Sequence, residues 1–162
     1  MMDDTESQMM NVLPLVKADL DACAKIVSTT ELFRAYGYTG ETARKQLETA
    51  LSEGQDELWV AKDQGRAVGF AWFIKKGAFA RSGYLRLIAV DSSHLKAGIG
   101  RTLMTELEKK YLSPNGMFLL VTSTNNAARG FYEKLGYRRV GEIPGYVKAG
   151  IDEVIYYRGV TG

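Results

Sequence analysis

Gly83-Tyr84-Leu85-Arg86-Leu87-Ile88-Ala89-Val90 runs through Asp91-Ser92-Ser93-His94 into Leu95-Lys96-Ala97-Gly98-Ile99-Gly100-Arg101. The first eight residues read as a strand, and their near-continuous apolar end predicts burial on both faces. From Gly98 onward Ile99, Leu103, Leu107 and Tyr111 form one helical stripe, so a glycine loop joins a strand's carboxyl end to a helix. Such a junction offers unpaired backbone N–H groups and the positive end of the helix dipole to an anion. Gly98 and Gly100 leave the backbone uncovered, and Lys96 and Arg101 add charge nearby. Two common phosphate motifs fail here. A Walker loop needs Gly-Lys before Ser or Thr, whereas Gly100 is followed by Arg101-Thr102. A dinucleotide fingerprint needs a third glycine where Leu103 stands, in an early βαβ unit.

Outward from the loop, residues 11–16 read as a strand and 19–28 as a helix burying Leu20, Cys23 and Val27. Thr39 caps a second predicted helix reaching about residue 52, with Ala43, Leu47, Ala50 and Leu51 at helical spacing. The period then changes. Residues 57–62 and 67–75 are strand-like and joined by Asp63-Gln64-Gly65-Arg66, a loop of hairpin length. Beyond the glycine-loop helix, Ser113-Pro114-Asn115-Gly116 is a stop, and 117–122 is a compact apolar strand. Strand, helix and strand in this succession imply a right-handed parallel crossover. A short helix over 125–135 is stopped by Gly136, and strand-like runs at 137–143 and 152–158 flank Pro144-Gly145. The order describes an α/β, mixed α+β architecture with a sheet carrying helices on its faces.

At 162 residues and 46% hydrophobic side chains the chain supports one core more readily than two. Residues 1–10 read as a flexible, polar N-terminal segment and 11–162 as one domain. A net charge of +2 falls short of the basic face that nucleic-acid binding needs. The acidic N-terminus lacks the pattern of a secretory signal, and no run approaches the roughly 18 apolar residues of a membrane span. The expectation is a cytoplasmic protein without nucleic-acid or membrane partners. One cysteine, Cys23, and one histidine, His94, make a His/Cys metal cage hard to build, so no metal is expected. The spacing of Cys23 makes it a small core residue.

A second motif is centred on Tyr132, 32 residues after Gly100. Phe131-Tyr132-Glu133-Lys134-Leu135-Gly136-Tyr137, preceded by Asn125 and Ala128, resembles the second signature of the GNAT superfamily of acetyl-CoA-dependent N-acetyltransferases. Val90-Asp91 through Gly98-Ile99-Gly100-Arg101 to Leu103 resembles the first. The pair covers about 83–137, and the order of elements extends the likeness along nearly the whole chain.

The resemblance implies a GNAT-like single domain: a central mixed, mostly antiparallel sheet with a V-shaped splay and helices on both faces. It implies acetyl-CoA as co-substrate, without metal, and a primary amine on a small molecule or peptide N-terminus as acceptor; homodimerisation is left open. The backbone of Ile88, Ala89 and Val90 would hold the pantetheine arm and polarise the thioester carbonyl. The amides of Leu95, Lys96, Ala97, Gly98, Ile99, Gly100 and Arg101 would grip the pyrophosphate. Asn125 would contact the coenzyme beyond it, and Lys134 would reach its phosphates. Tyr132 would protonate the departing thiolate, since a phenol of pKa about 10 is roughly matched to an alkyl thiol. Ala128, Phe131, Tyr132 and Leu135 also have the spacing of a packed helix face, which alone would place a tyrosine there. Gly130 inside this helix suggests close approach of another backbone.

The sequence departs from the family pattern at Leu95, where an Arg or Gln is usual, and at Lys96, where a glycine is usual. The strand before the loop carries no carboxylate to serve as general base. Tyr84, Glu31, Asp152 and His94 are unranked candidates, and no base is assigned. Phe33, Tyr36, Tyr38, Tyr146 and Tyr156 are aromatic residues that either wall an acceptor pocket or anchor the core. A non-catalytic acyl-CoA-binding or interaction module on the same fold is the alternative reading.

Overall fold

Period-two runs become strands and period-3.6 runs become helices in the computed structural model, which describes residues 10–95 and 97–160. In order they are β1 (Asn11–Pro14), α1 (Leu20–Thr29), α2 (Glu31–Ala35), α3 (Gly40–Glu53), β2 (Glu57–Asp63), β3 (Arg66–Ala78), β4 (Ser82–Val90), α4 (Ile99–Tyr111), β5 (Met117–Thr122), α5 (Asn126–Lys134), β6 (Arg138–Lys148) and β7 (Ile151–Arg158). The seven strands are hydrogen-bonded in the order β1-β2-β3-β4-β5-β7-β6. β4 and β5 pair in parallel, Gly83 opposite Met117, as expected for strands joined through a helix. β1–β2, β5–β7 and β6–β7 are antiparallel. The sheet is mixed and mostly antiparallel. Nearly all of the segment read as flexible, residues 1–9, lies outside the described residues.

The described chain divides into two compact units. One comprises residues up to Trp72 with Leu87–Glu106, the other Phe73–Arg86 with the residues from Leu107 onward. In the first, α1 packs on α3 through a face that includes Leu20, Cys23 and Val27 on α1 and Ala43, Leu47 and Ala50 on α3, all at most 5% exposed. Each such Leu or Val contributes about 1.5–3 kcal/mol when fully buried. Thr39 caps α3 as the sequence predicts, its Oγ1 accepting the Thr42 amide at 3.1 Å. Gly54, at φ +65°, ends the helix in the left-handed region that favours glycine. Burial pushes the Cys23 thiol up to about 12, with the Asp19 carboxylate adding to it, so the thiol is an inert core group.

The strand buried on both faces is β3, where Val68, Phe70, Ala71, Trp72 and Phe73 are all at most 5% exposed. The apolar end of β4 was expected in that role and differs. Leu87, Ile88 and Val90 are only half-buried. An apolar run marks contact with apolar surroundings, and it does not distinguish a two-sided core from a strand that borders a cleft. Helix α2 was not foreseen because its five residues bury nothing and so carry no hydrophobic period.

In the second unit β5 and β7 form the centre. Met117, Leu119 and Tyr156 are at most 1% exposed. The Tyr111 ring at the end of α4 stacks on Phe73 at 4.6 Å. β6 runs five residues past the predicted end and carries Pro144 within it. It is the edge strand, and its register with β7 slips between Ile143 and Lys148. An edge leaves one side of the strand unpaired, where a missing N–H costs little.

Candidate functional site

The glycine loop is built by a succession of short backbone bonds. The Asp91 amide donates to Val68 O on β3 at 2.8 Å, the His94 amide to Asp91 O at 2.9 Å, and the Ala97 amide to His94 O at 3.1 Å. Gly98 follows at φ +76°, with nothing within 4 Å of where a Cβ would stand. Its carbonyl accepts both the amide of Thr102 at 3.0 Å and the Thr102 hydroxyl at 2.9 Å. The amides of Ile99, Gly100 and Arg101 precede the Thr102–Gly98 bond, and those of Ile99 and Arg101 have no i−4 acceptor among the described residues. No acidic side chain occupies the first turn. The loop is open, with Leu95 67% exposed. This donor set, without a side chain over Gly98, fits a pyrophosphate. Within the loop the Ala97 amide donates to His94 O. Lys96 lies outside the described residues.

Gly69 on β3, unremarked in the sequence, makes room for this helix start. A Cβ on it would stand 2.8 Å from Ile99 Cγ2 and 3.1 Å from Ala89 O. A lone glycine inside a strand pattern was the available signal.

His94 stands beside the loop between two carboxylates. Its Nε2 is 3.7 Å from Asp63 Oδ2 and its Nδ1 3.4 Å from Asp91 Oδ2. The Ser93 hydroxyl lies 2.9 Å from Nδ1 and 3.1 Å from Asp91 Oδ2. Burial acts to raise the Asp91 pKa, but hydrogen bonds from Ser93 and the neighbouring His94 outweigh it and bring it below the usual carboxylate value.

Upstream of the loop, Ala89 is buried while Ile88 and Val90 are half-buried. Leu87, next to them, borders a shallow, open depression that is also lined by Val27, Tyr38, Gln46, Leu47, Phe70 and Trp72 and has room for little more than a water molecule. The lining carries no formal charge. Trp72 is fixed by a 2.8 Å hydrogen bond from its Nε1 to Asp56 Oδ2, and the Tyr38 ring meets Phe33 edge-on at 6.2 Å. Of the aromatic residues considered for a pocket wall, Tyr38 lines this depression.

In the second unit, Asn125 caps α5 by accepting the Ala128 amide at 3.1 Å. That leaves its amide nitrogen for a ligand. Tyr132 is 6% exposed, its ring edge-on to Phe131 at 5.0 Å and to Tyr137 at 5.8 Å. Burial raises its pKa well above the usual phenol value. Lys134 is exposed in the last turn of α5. Gly130 differs from expectation: nothing lies within 4 Å of a Cβ placed there, so no backbone approaches it among the described residues.

Tyr156 is a core residue. It is fully buried, donates to Glu133 Oε1 at 2.7 Å and accepts from Arg129 Nε at 3.2 Å. Glu108 pairs with Arg158 through Oε2, while its buried Oε1 makes no hydrogen bond among the described residues. Burial raises the Glu108 pKa, and the Arg158 guanidinium offsets only part of that. Among the candidate bases, Glu31 is exposed, and Asp152 is engaged by the Gly145 amide at 3.0 Å. Glu153 on β7, 4% exposed and opposite Thr122, is a buried carboxylate that the sequence reading did not single out. Among the described residues no three His, Cys, Asp or Glu side chains cluster to hold a metal, and no helix is long and apolar enough to cross a membrane.

Comparison with known proteins bears on the family and the fold. Residues 24–137 match the model of the acetyltransferase (GNAT) family. An uncharacterised N-acetyltransferase of Methanocaldococcus jannaschii is 32% identical over 101 residues, covering 60% of this chain and 63% of that protein. The chain spans less than two thirds of the length of the curated relatives it matches. Among solved structures, the ribosomal-protein-S18-alanine N-acetyltransferase of Escherichia coli superposes with a TM-score of 0.77 at 22% identity, covering 95% of this chain and 97% of that one. A Salmonella typhimurium protein solved with its cofactor acetyl-CoA gives 0.72 at 18% identity, covering 93% and 94%. At these identities the superpositions establish the fold.

Proposed function

The chain belongs to the acetyltransferase (GNAT) family, and from that membership we propose that it moves the acetyl group of acetyl-CoA to a primary amine on a small molecule or a peptide N-terminus. The observation that carries this is the junction at Gly98, where an uncovered left-handed glycine opens α4 at the positive end of its dipole. The coenzyme supplies an acetyl group activated as a thioester.

The chain's own residues do the rest. Backbone donors at Gly98, Ile99, Gly100 and Arg101 hold the pyrophosphate at the positive end of α4. The backbone of Ile88, Ala89 and Val90 takes the pantetheine arm and polarises the carbonyl under attack. Asn125 and Lys134 extend the grip. Tyr132 gives its proton to sulfur as the carbon–sulfur bond breaks. What supports that role is its place in the Phe131-Tyr132 motif; burial raises the phenol's pKa, which keeps it protonated but makes it a weaker acid than a free phenol.

Calorimetric titration with acetyl-CoA tests the coenzyme half of the proposal. Saturable binding is expected, with a gain in stability of about 2.7 kcal/mol at a hundredfold excess over Kd. Absence of both heat and stabilisation refutes it. The transfer half is read by thiol release in the presence of amines.

A further inference from the structure

His94 is the joint between the sheet and the glycine loop. Its ring reaches Asp63 at the end of β2 and Asp91 just after β4, with the Ser93 hydroxyl between Nδ1 and Asp91. The ring thus lies between two carboxylates, with Nδ1 and the Ser93 hydroxyl in hydrogen-bond contact and Nε2 turned toward Asp63.

The backbone of the same residue carries the loop. Its carbonyl holds the Ala97 amide, and its own amide is held by Asp91, itself tied to Val68 on β3. Gly98 follows immediately in the left-handed region, and its carbonyl anchors Thr102 twice. His94 and Ala97, joined by their carbonyl–amide bond, therefore stand at the entry to the amides at 99–101. Among the described residues, the ring contacts of His94 add to the short backbone bonds there, beside an exposed Leu95. A loop left to sample other positions must be ordered at the moment of binding, which weakens the ligand.

We propose that His94 is a positioning residue, braced between Asp63 and Asp91, that fixes the entry to the phosphate loop and so sets the affinity for the coenzyme's pyrophosphate. The inference rests on the acetyl-CoA reading above. It concerns the pyrophosphate alone, so its effect is separable by ligand.

The test measures binding of two probes to the full chain: coenzyme A, and pantetheine, which has the thiol arm and no pyrophosphate. Replacing His94 (His94→Ala) is expected to weaken coenzyme A binding about tenfold and to leave pantetheine binding unchanged. His94→Gln, which keeps one donor, recovers part of the loss. Asp63→Asn, at a side chain 37% exposed, weakens coenzyme A binding in the same direction without threatening the fold, and carries the test if His94→Ala unfolds. Equal loss for both probes, or no loss for coenzyme A, overturns the proposal and leaves the acetyl-CoA reading standing. Failure of the unsubstituted chain to bind coenzyme A overturns both.

Discussion

Gly69 on β3 lies against Ile99, the first residue of α4, so closely that a Cβ on the glycine would stand 2.8 Å from Ile99 Cγ2. The Ala89 carbonyl, 3.1 Å from the same point, closes the other side. Ile99 is branched, packed and 1% exposed, so it cannot swing away as the tip of a long side chain would. The start of the helix whose amides face the proposed pyrophosphate is thus set by the lack of one methyl group on a neighbouring strand.

Gly69→Ala is therefore expected to cost about 1–3 kcal/mol of stability by overpacking and to weaken acetyl-CoA binding as the first turn of α4 shifts. Denaturant melts read the first effect and calorimetry the second. Wild-type values in both would show that the contact yields without cost.

Tyr132→Phe keeps the ring and its contacts with Phe131 and Tyr137 while removing the proton donor. Turnover with a competent amine should fall about a hundredfold, within the range for a lost general acid, with acetyl-CoA affinity nearly intact. Unchanged turnover would remove Tyr132 from the mechanism. A parallel loss of affinity would mark it as a packing residue.

Gly130 is a helix-interior glycine with open space where a Cβ would go. Gly130→Ala should stabilise the chain by up to about 1 kcal/mol, through helix propensity and a less flexible unfolded state. A lowered melting midpoint would reveal a contact at that face.

Glu108 has a raised pKa because burial outweighs the Arg158 guanidinium. A carboxyl raised in the folded state favours folding in its protonated form. Its contribution is fully present below the unfolded pKa of a glutamate and is lost as pH rises through the higher folded value. Glu108→Gln, neutral at every pH, should flatten that part of the stability profile and leave the variant no less stable than the parent at neutral pH. Thermal melts from pH 4 upward follow it. A variant markedly less stable at neutral pH would mean that the Arg158 pair outweighs the cost of burying the charge.

The features legible in the sequence are those whose cause is local. Thr39 capping α3, Gly98 opening α4 and the apolar stripe of α4 depend on residues within one or two turns of each other. The features that were not legible depend on distant partners. Glu108 and Arg158 are 50 positions apart in the chain, and Asp63, at the end of β2, reaches His94, beyond the end of β4, from a distant place in the sequence. The apolar end of β4 was misread because alternation reports how apolar the surroundings are and not what fills them. At Gly130 the sequence marked an unusual residue without indicating whether space or a neighbour required it. The family resemblance supplied the roles of Tyr132 and the loop, and Gly69, Asp63 and Glu153 stood outside its signatures.

The most direct test of the central claim is thiol release from acetyl-CoA by the full chain across a panel of primary amines, from small apolar amines to peptides with free N-termini. Release is expected to require both chain and amine and to fall about a hundredfold in Tyr132→Phe. Saturable binding of acetyl-CoA with no amine-dependent release across the panel would contradict it and identify the chain as a coenzyme-binding module.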